Sequence, residues 1–252
     1  MPTGQIIDLA LQGRTNSSDE IIRANPKTVV VMLTGTAVEF GAWLQAVPAL
    51  LHHSYLGMEG GNAIADVLEG IVNPCGKLPY TFPIKLEDSP AHHWGEYPGK
   101  DGKVHYTEGI FVGYRYFDTK NVAPLYPFGY GLSYTTFEYG QMRVQPNAKT
   151  GSKVKVSFEV KNTGTMEGKE ISQIYVRDVE SSVERPLKEL KSFTKTALAP
   201  GESKVIVVEL NEKAFQFYHP EQRKWLTEPG KFEILVGSSS MDIRLTSEVE
   251  LN

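Results

Sequence analysis

Beyond Tyr139 the sequence settles into a two-residue period, and this change most restricts what the chain can fold into. Val154-Lys-Val-Ser-Phe-Glu-Val160 alternates apolar with polar or charged side chains, the pattern of a strand with one face buried. Comparable runs follow at 171–177, 187–193, 204–210, 231–236 and 243–249. Turn residues separate them: Asn162-Thr-Gly164, Pro200-Gly201 and Glu228-Pro-Gly230. About seven short strands in roughly 110 residues predict an antiparallel β-sandwich of immunoglobulin or fibronectin type III kind over residues 139–252. Pro186 and Pro200 fall where edges and turns tolerate a missing N–H.

The first 83 residues read differently. Residues 1–17 carry little pattern and read as a lead-in. Ser18 to Asn25 reads as the end of a helix stopped before Pro26. Thr28-Val-Val-Val-Met-Leu33 is a continuous β-branched run, as expected of a parallel strand buried on both faces. A helical period spans Glu39–Leu44, a second strand Ala49–His53, and a helix Asn62–Glu69 opened by the loop Gly57-Met-Glu-Gly-Gly61. Lys77–Phe82 reads as an extended edge segment because of Pro79. Strands alternating with helices predict βαβ units in a doubly wound α/β sandwich. About three strands fall short of the usual five or six, so the pattern predicts a partial domain over 1–83.

Residues 84–138 form a loop-rich aromatic connector. Its core is Gly109-Ile-Phe-Val-Gly-Tyr-Arg-Tyr-Phe-Asp118, followed by Tyr126-Pro-Phe-Gly-Tyr-Gly-Leu-Ser-Tyr-Thr-Thr-Phe137. Glycine permits close backbone approach while the rings bury area at low rotamer cost. Arg115, set among these rings, is expected to pair with Glu108 or Asp118 or to stack on a ring.

Composition removes several functions. A net charge of −4 over 252 residues leaves no basic stripe, so no nucleic-acid partner is expected. No apolar run reaches about 18 residues, so no membrane span is expected. Cys75 is the one cysteine, which excludes an internal disulfide and a cysteine metal cluster. The N-terminus has no positive segment followed by an apolar one, so the expected location is cytoplasmic. A secreted origin stays open for a piece that has lost its leader.

Four segments resemble family 3 glycoside hydrolases, the β-glucosidase and β-xylosidase group. They are Val29 to Glu39, with Ala37 at a usual proline; Gly57 to Pro83, with Cys75 at a common serine; the aromatic connector; and the sandwich. In the sandwich the resemblance rests on Asn162-Thr-Gly164, Gly168-Lys-Glu170, Gln173-Ile-Tyr175 and Arg185-Pro-Leu-Lys-Glu-Leu190. The resemblance implies an N-terminal barrel, an α/β sandwich and a fibronectin type III-like domain, and hydrolysis of β-linked glucosides or oligosaccharides with retention. Retention needs a nucleophile and an acid/base only about 5 Å apart. The resemblance puts the Asp nucleophile on the barrel and the Glu acid/base upstream of the first buried strand. Asp8, the acidic residue preceding Asp19, lacks the acid/base motif. The expectation is therefore the C-terminal region of such an enzyme, a fragment inactive alone, which supports the barrel and lines the cleft. A barrel polypeptide or a homo-oligomer is the expected partner.

Glu59 is the best-placed carboxylate for binding substrate, or it caps the helix that follows. Trp94, Tyr97, His105 and Tyr106 form a candidate sugar-stacking rim, or pack between domains. His52, His53, His92 and His93 lack metal-ligand spacing, and neither a metal nor a cofactor is expected. A non-catalytic carbohydrate-binding or scaffold module is the alternative. An esterase using Ser54 or Ser133 is weaker, because the G-x-S-x-G elbow is missing.

Overall fold

The computed structural model describes residues 6–8, 15–95, 97 and 99–252, with residues 6–8 and 15–19 as backbone only. Residues 1–5 and 9–14 of the α/β portion, and Glu96 and Pro98 of the connector, lie outside the described residues. Two compact units emerge, Met1–Glu69 and Gly70–Asn252.

The first unit runs β1 (Ile6–Asp8), α1 (Thr15–Ala24), β2 (Val29–Leu33), β3 (Ala49–His53) and α2 (Gly60–Leu68). The strands lie parallel in the order β1-β2-β3, with Val29 opposite Ile6 on one side and Ala49 on the other. Val30 and Met32 are fully buried, and Ile22, Phe40 and Trp43 join the core, the last two edge to face at 5.6 Å. Helix α1 stops where the sequence places Pro26. Asn25 closes the turn by donating its N–H to Ile21 O, and Thr28 Oγ1 donates to Asn25 O at 2.6 Å.

Three strands were expected, but one of them is elsewhere. Lys77–Phe82 adds no strand to this sheet. Pro79 has no N–H to give, and Phe82 makes a single antiparallel bridge to Tyr126 in the second unit. The third strand is Ile6–Asp8, too short to show a period. Glu39–Leu44 is not α-helical either. Gly41, at φ 71°, interrupts it, and a 3-10 turn follows at Ala42–Ala46.

The second unit contains two short helices, α3 (Pro90–His93) and α4 (Tyr114–Thr119), and then the strands of the sandwich. These are β4 (Phe137–Val144), β5 (Asn147–Ala148), β6 (Val154–Asn162), β7 (Gly168–Asp178), β8 (Glu189–Leu198) and β9 (Ser203–Leu210). They continue with β10 (Phe217–His219), β11 (Lys224–Leu226), β12 (Gly230–Ser239) and β13 (Asp242–Leu251). One sheet has the order β5-β13-β12-β7-β8, the other β4-β6-β9, and β10 and β11 form a separate hairpin. Between the sheets, Val154, Val156, Phe158 and Val160 of β6 are fully buried with Ile174 of β7 and Ile234 and Val236 of β12. The two-residue period of the sequence is the alternation of this core with solvent.

The connector docks on the sandwich through the signature residues. Gln173 donates from Nε2 to Gly129 O at 3.1 Å and Ser238 O at 2.7 Å, while Tyr175 OH donates to its Oε1 at 2.6 Å. Gly129 has φ 80°, and a Cβ there would collide with the Gln173 amide, so close approach requires glycine. Asn73 accepts at Oδ1 from Ser133 Oγ and Tyr134 N, both at 2.8 Å, and donates from Nδ2 to Glu167 O at 2.9 Å. Asn162 accepts from Thr135 Oγ1 at 2.6 Å and Gly164 N, and donates to Met166 O and Leu198 O.

Candidate functional site

In the first unit the carboxyl ends of β2 and β3 open onto a cleft of about 490 Å³. Val31, Leu33, His53, Tyr55, Leu56 and Ile64 line it, with the glycines of the loop entering α2. Ligands of open α/β sheets bind in crevices outside the carboxyl ends of the strands. The lining is apolar and aromatic and contains no carboxylate among the described residues. It can pack a ring or a chain segment but offers no carboxyl group to serve as nucleophile or acid.

Of the two histidines that end β3, His53 lines the cleft and His52 does not. Thr34 Oγ1 and His52 Nε2 lie 3.0 Å apart, and Thr34 Oγ1 also donates to Thr36 O at 2.8 Å. His52 therefore donates from Nε2 to the threonine oxygen. Burial, and then the neighbouring His53, lower the pKa of His52 and favour its neutral form. His53 donates from Nδ1 to Ser54 O at 2.8 Å. The two histidines are the last two residues of β3, where the sequence also ends a strand, and both are half-buried.

Glu59 occupies the residue just before α2, as expected, but its carboxylate takes no backbone N–H of the helix. It accepts from Asn62 Nδ2 at 2.7 Å and stays exposed. Tyr55, 81 % exposed, and Met58, fully exposed, flank it along the chain. Neither belongs to a periodic run, so no sequence pattern singles out these two.

The rim residues lie in the second unit and divide into two groups. Trp94 packs edge to face on Tyr116 at 5.3 Å, beside Phe111 and Phe117. Tyr97 contacts His92 at 5.2 Å yet is 58 % exposed, and Tyr106 is 82 % exposed. His105 is exposed as well. Trp94 is thus an anchor of a small aromatic core, while Tyr97, His105 and Tyr106 present surface. The four histidines on β3 and α3 have separate partners. Among the described residues no group of three or more His, Cys, Asp or Glu could hold a metal ion. Ser133 donates its hydroxyl to Asn73, which leaves no base to activate it as an esterase nucleophile.

The densest electrostatic cluster is structural and links α4 to β8. Arg115 pairs with Glu189 at 3.0 Å, rather than with Glu108 or Asp118. Asp118 instead takes Lys188 at 2.6 Å. Arg185 bridges Asp178 and Glu189, each at 2.8 Å, and Lys191 reaches Glu189 at 3.3 Å. Leu190 N donates to Tyr114 OH at 2.7 Å, and Leu187 N to Thr119 Oγ1 at 2.9 Å. Spacing along the chain favoured the nearest acids for Arg115. A six-residue helix turned towards the sandwich puts a distant glutamate closer.

Comparison with known proteins agrees with this architecture. Residues 7–114 match the glycosyl hydrolase family 3 C-terminal domain, and residues 170–240 the fibronectin type III-like domain. A β-glucosidase of Bacteroides ovatus is 48 % identical over 235 residues, covering 92 % of this chain and 31 % of the relative. The thermostable β-glucosidase B of Acetivibrio thermocellus is also 48 % identical, over 93 % of this chain and 31 % of its own length. The chain thus spans about a third of the length of the curated relatives it matches. A crystal structure of Kluyveromyces marxianus β-glucosidase with glucose superposes with a TM-score of 0.90 at 41 % identity, over 99 % of this chain and 31 % of that one. β-Glucosidase 3B of Thermotoga neapolitana, with α-D-glucose, gives 0.88 at 34 %, over 98 % and 37 %.

Proposed function

The chain belongs to the C-terminal region of the family 3 glycoside hydrolases, and from that premise we propose that it serves a retaining β-glucoside hydrolase as buttress and cleft wall. The observation that carries this is the 48 % identity to β-glucosidases over 92 % of the chain. In this reading the exposed loop Tyr55–Glu59 faces the sugar, and Glu59 hydrogen-bonds substrate rather than attacking it. Tyr97, His105 and Tyr106, exposed on the second unit, with Trp94 packed in the aromatic core there, are a separate candidate surface on which a pyranose face can stack.

These 252 residues alone have no turnover. Retaining hydrolysis needs a nucleophile and an acid/base facing each other, and residues that act as a unit fail together when one is missing. The cleft lining, which holds no carboxylate among the described residues, supports this. The partner is then a barrel-bearing polypeptide or segment that docks on the first unit. The cytoplasmic location is proposed on the same footing and is tested by cell fractionation.

The experiment assays the chain with aryl β-glucosides, alone and mixed with a polypeptide carrying the upstream two thirds of a relative. No turnover alone and recovery on mixing are expected. Turnover of the chain alone at the rate of an intact relative would refute the division of labour, and failure of the mixture would refute the buttress.

A second reading, a non-catalytic carbohydrate-binding module, is favoured by the exposure of Tyr97 and Tyr106. Titration with gluco-oligosaccharides, followed by Trp94 fluorescence, separates the two readings, since no change at millimolar sugar removes binding by this surface.

A further inference from the structure

The hairpin of β10 and β11 has two unlike faces. On one, Phe217 is buried, with the Arg185 guanidinium 5.5 Å from its ring centroid. On the other, Tyr218 and Trp225 stand directly opposite each other across the strands. Their centroids are 5.7 Å apart with planes at 68°, and they remain 49 % and 63 % exposed. A cross-strand aromatic pair helps to hold a hairpin together. What sets this pair apart is that two rings stand side by side on the solvent face of one hairpin.

We propose that Tyr218 and Trp225 form a carbohydrate-stacking platform for a β-linked gluco-oligosaccharide, separate from the cleft of the first unit. Three observations carry it. The centroid separation is close to the advance of one pyranose along a β-linked chain, so successive sugars can meet successive rings. The turn His219-Pro-Glu-Gln-Arg-Lys224 supplies donors and acceptors of both signs, which suits a neutral polyhydroxylated ligand better than a polyion. Two rings offer at most about 300–500 Å², short of the ~800 Å² per partner that a stable protein interface buries. Because the planes are inclined, the platform suits a bent glucan, β-1,3-linked, over a flat β-1,4 ribbon. The choice of a β-glucan rests on the function proposed above, while the stacking geometry stands apart from it.

The test is titration of the 15N-labelled chain with laminari-, cello- and malto-oligosaccharides, followed at its three tryptophan indoles. Saturable movement of the Trp225 resonance with the β-linked sugars, strongest with the β-1,3 series, is expected. Trp225→Ala should weaken binding about tenfold and Trp225→Phe much less. Tyr218→Ala, away from the buried face, guards against simple unfolding and should also weaken it, with unchanged thermal melting. Movement of Trp94 alone, binding only of the α-linked series, or no movement at millimolar sugar would each overturn the platform. Neither hairpin variant should alter turnover of a small aryl glucoside in the mixed assay, so failure of the platform is distinguishable from failure of the buttress.

Discussion

Lys188 Nζ lies 2.6 Å from Asp118 Oδ2, with the two side chains only 9 % and 4 % exposed. This one contact ties the end of α4 to the residue preceding β8. Burial pushes the Asp118 carboxyl up, and the lysine only partly offsets it, so the aspartate depends on its partner to stay ionised. Lys188→Met should therefore cost about 3–5 kcal/mol, because it leaves a buried carboxylate alone. The double variant Lys188→Met/Asp118→Leu should recover most of that. Urea denaturation of the three chains decides it; equal stability of single and double variants would show that the pair is not coupled.

Glu189 behaves in the opposite sense. Burial alone would raise its carboxyl, but Lys191, Arg185 and Arg115 together hold it below the ordinary glutamate value. A carboxyl depressed in the folded state adds stability above the unfolded pKa, and this is lost as pH falls through the folded value. Attachment of α4 to β8 should thus hold at neutral pH and weaken below about pH 4.3. Glu189→Gln should flatten that acid limb of the stability curve, measured by thermal melting between neutral and acid pH. An unchanged acid limb would remove Glu189 from the clamp.

Gly129→Ala tests the close approach beneath β7. At φ 80° an L side chain is strained, and the new methyl would displace the Gln173 amide from Gly129 O and Ser238 O. A loss of about 2–4 kcal/mol is expected from strain and broken buried hydrogen bonds. Gln173→Leu should lose a similar amount, and the two changes should not add, since they remove one contact.

The sequence made the sandwich legible because its long strands run eight residues or more, enough to show a period, as Val154–Asn162 does, while β5, β10 and β11 are too short to show one. The parallel unit was only partly legible. Ile6–Asp8 is three residues long, and its pairing with Val29–Val31 leaves no local trace. Lys77–Phe82 reads as an extended edge segment, with Pro79 placing it at an edge, yet its backbone partners are Leu125, Tyr126, Gly129 and Tyr130, far along the chain. The ion pairs were legible as residue types but not as partners. Arg115 and Glu189 are separated along the chain by the later part of the connector and by β4 to β7, and spacing cannot rank such distances. Glu59 was found from its loop, but Tyr55, Met58 and the Thr34–His52 contact depend on where β2 and β3 end.

Glu59 gives the sharpest separation between positioning and structure at the proposed sugar wall. Its carboxylate is exposed and, in its described contacts, accepts only from the Asn62 amide, one turn into α2. Removing one exposed hydrogen bond costs little, so Glu59→Gln should melt within about 0.5 kcal/mol of the parent chain. If the loop faces substrate, the same variant in the mixed assay should raise KM several-fold and leave kcat nearly unchanged. That split is the signature of lost uniform binding rather than of lost chemistry. Asn62→Ala provides the control, since it frees the carboxylate without deleting it and should leave KM near the parent value. A fall in kcat by several orders of magnitude for Glu59→Gln would instead make this residue an acid or nucleophile and overturn the division between cleft wall and missing carboxyl pair.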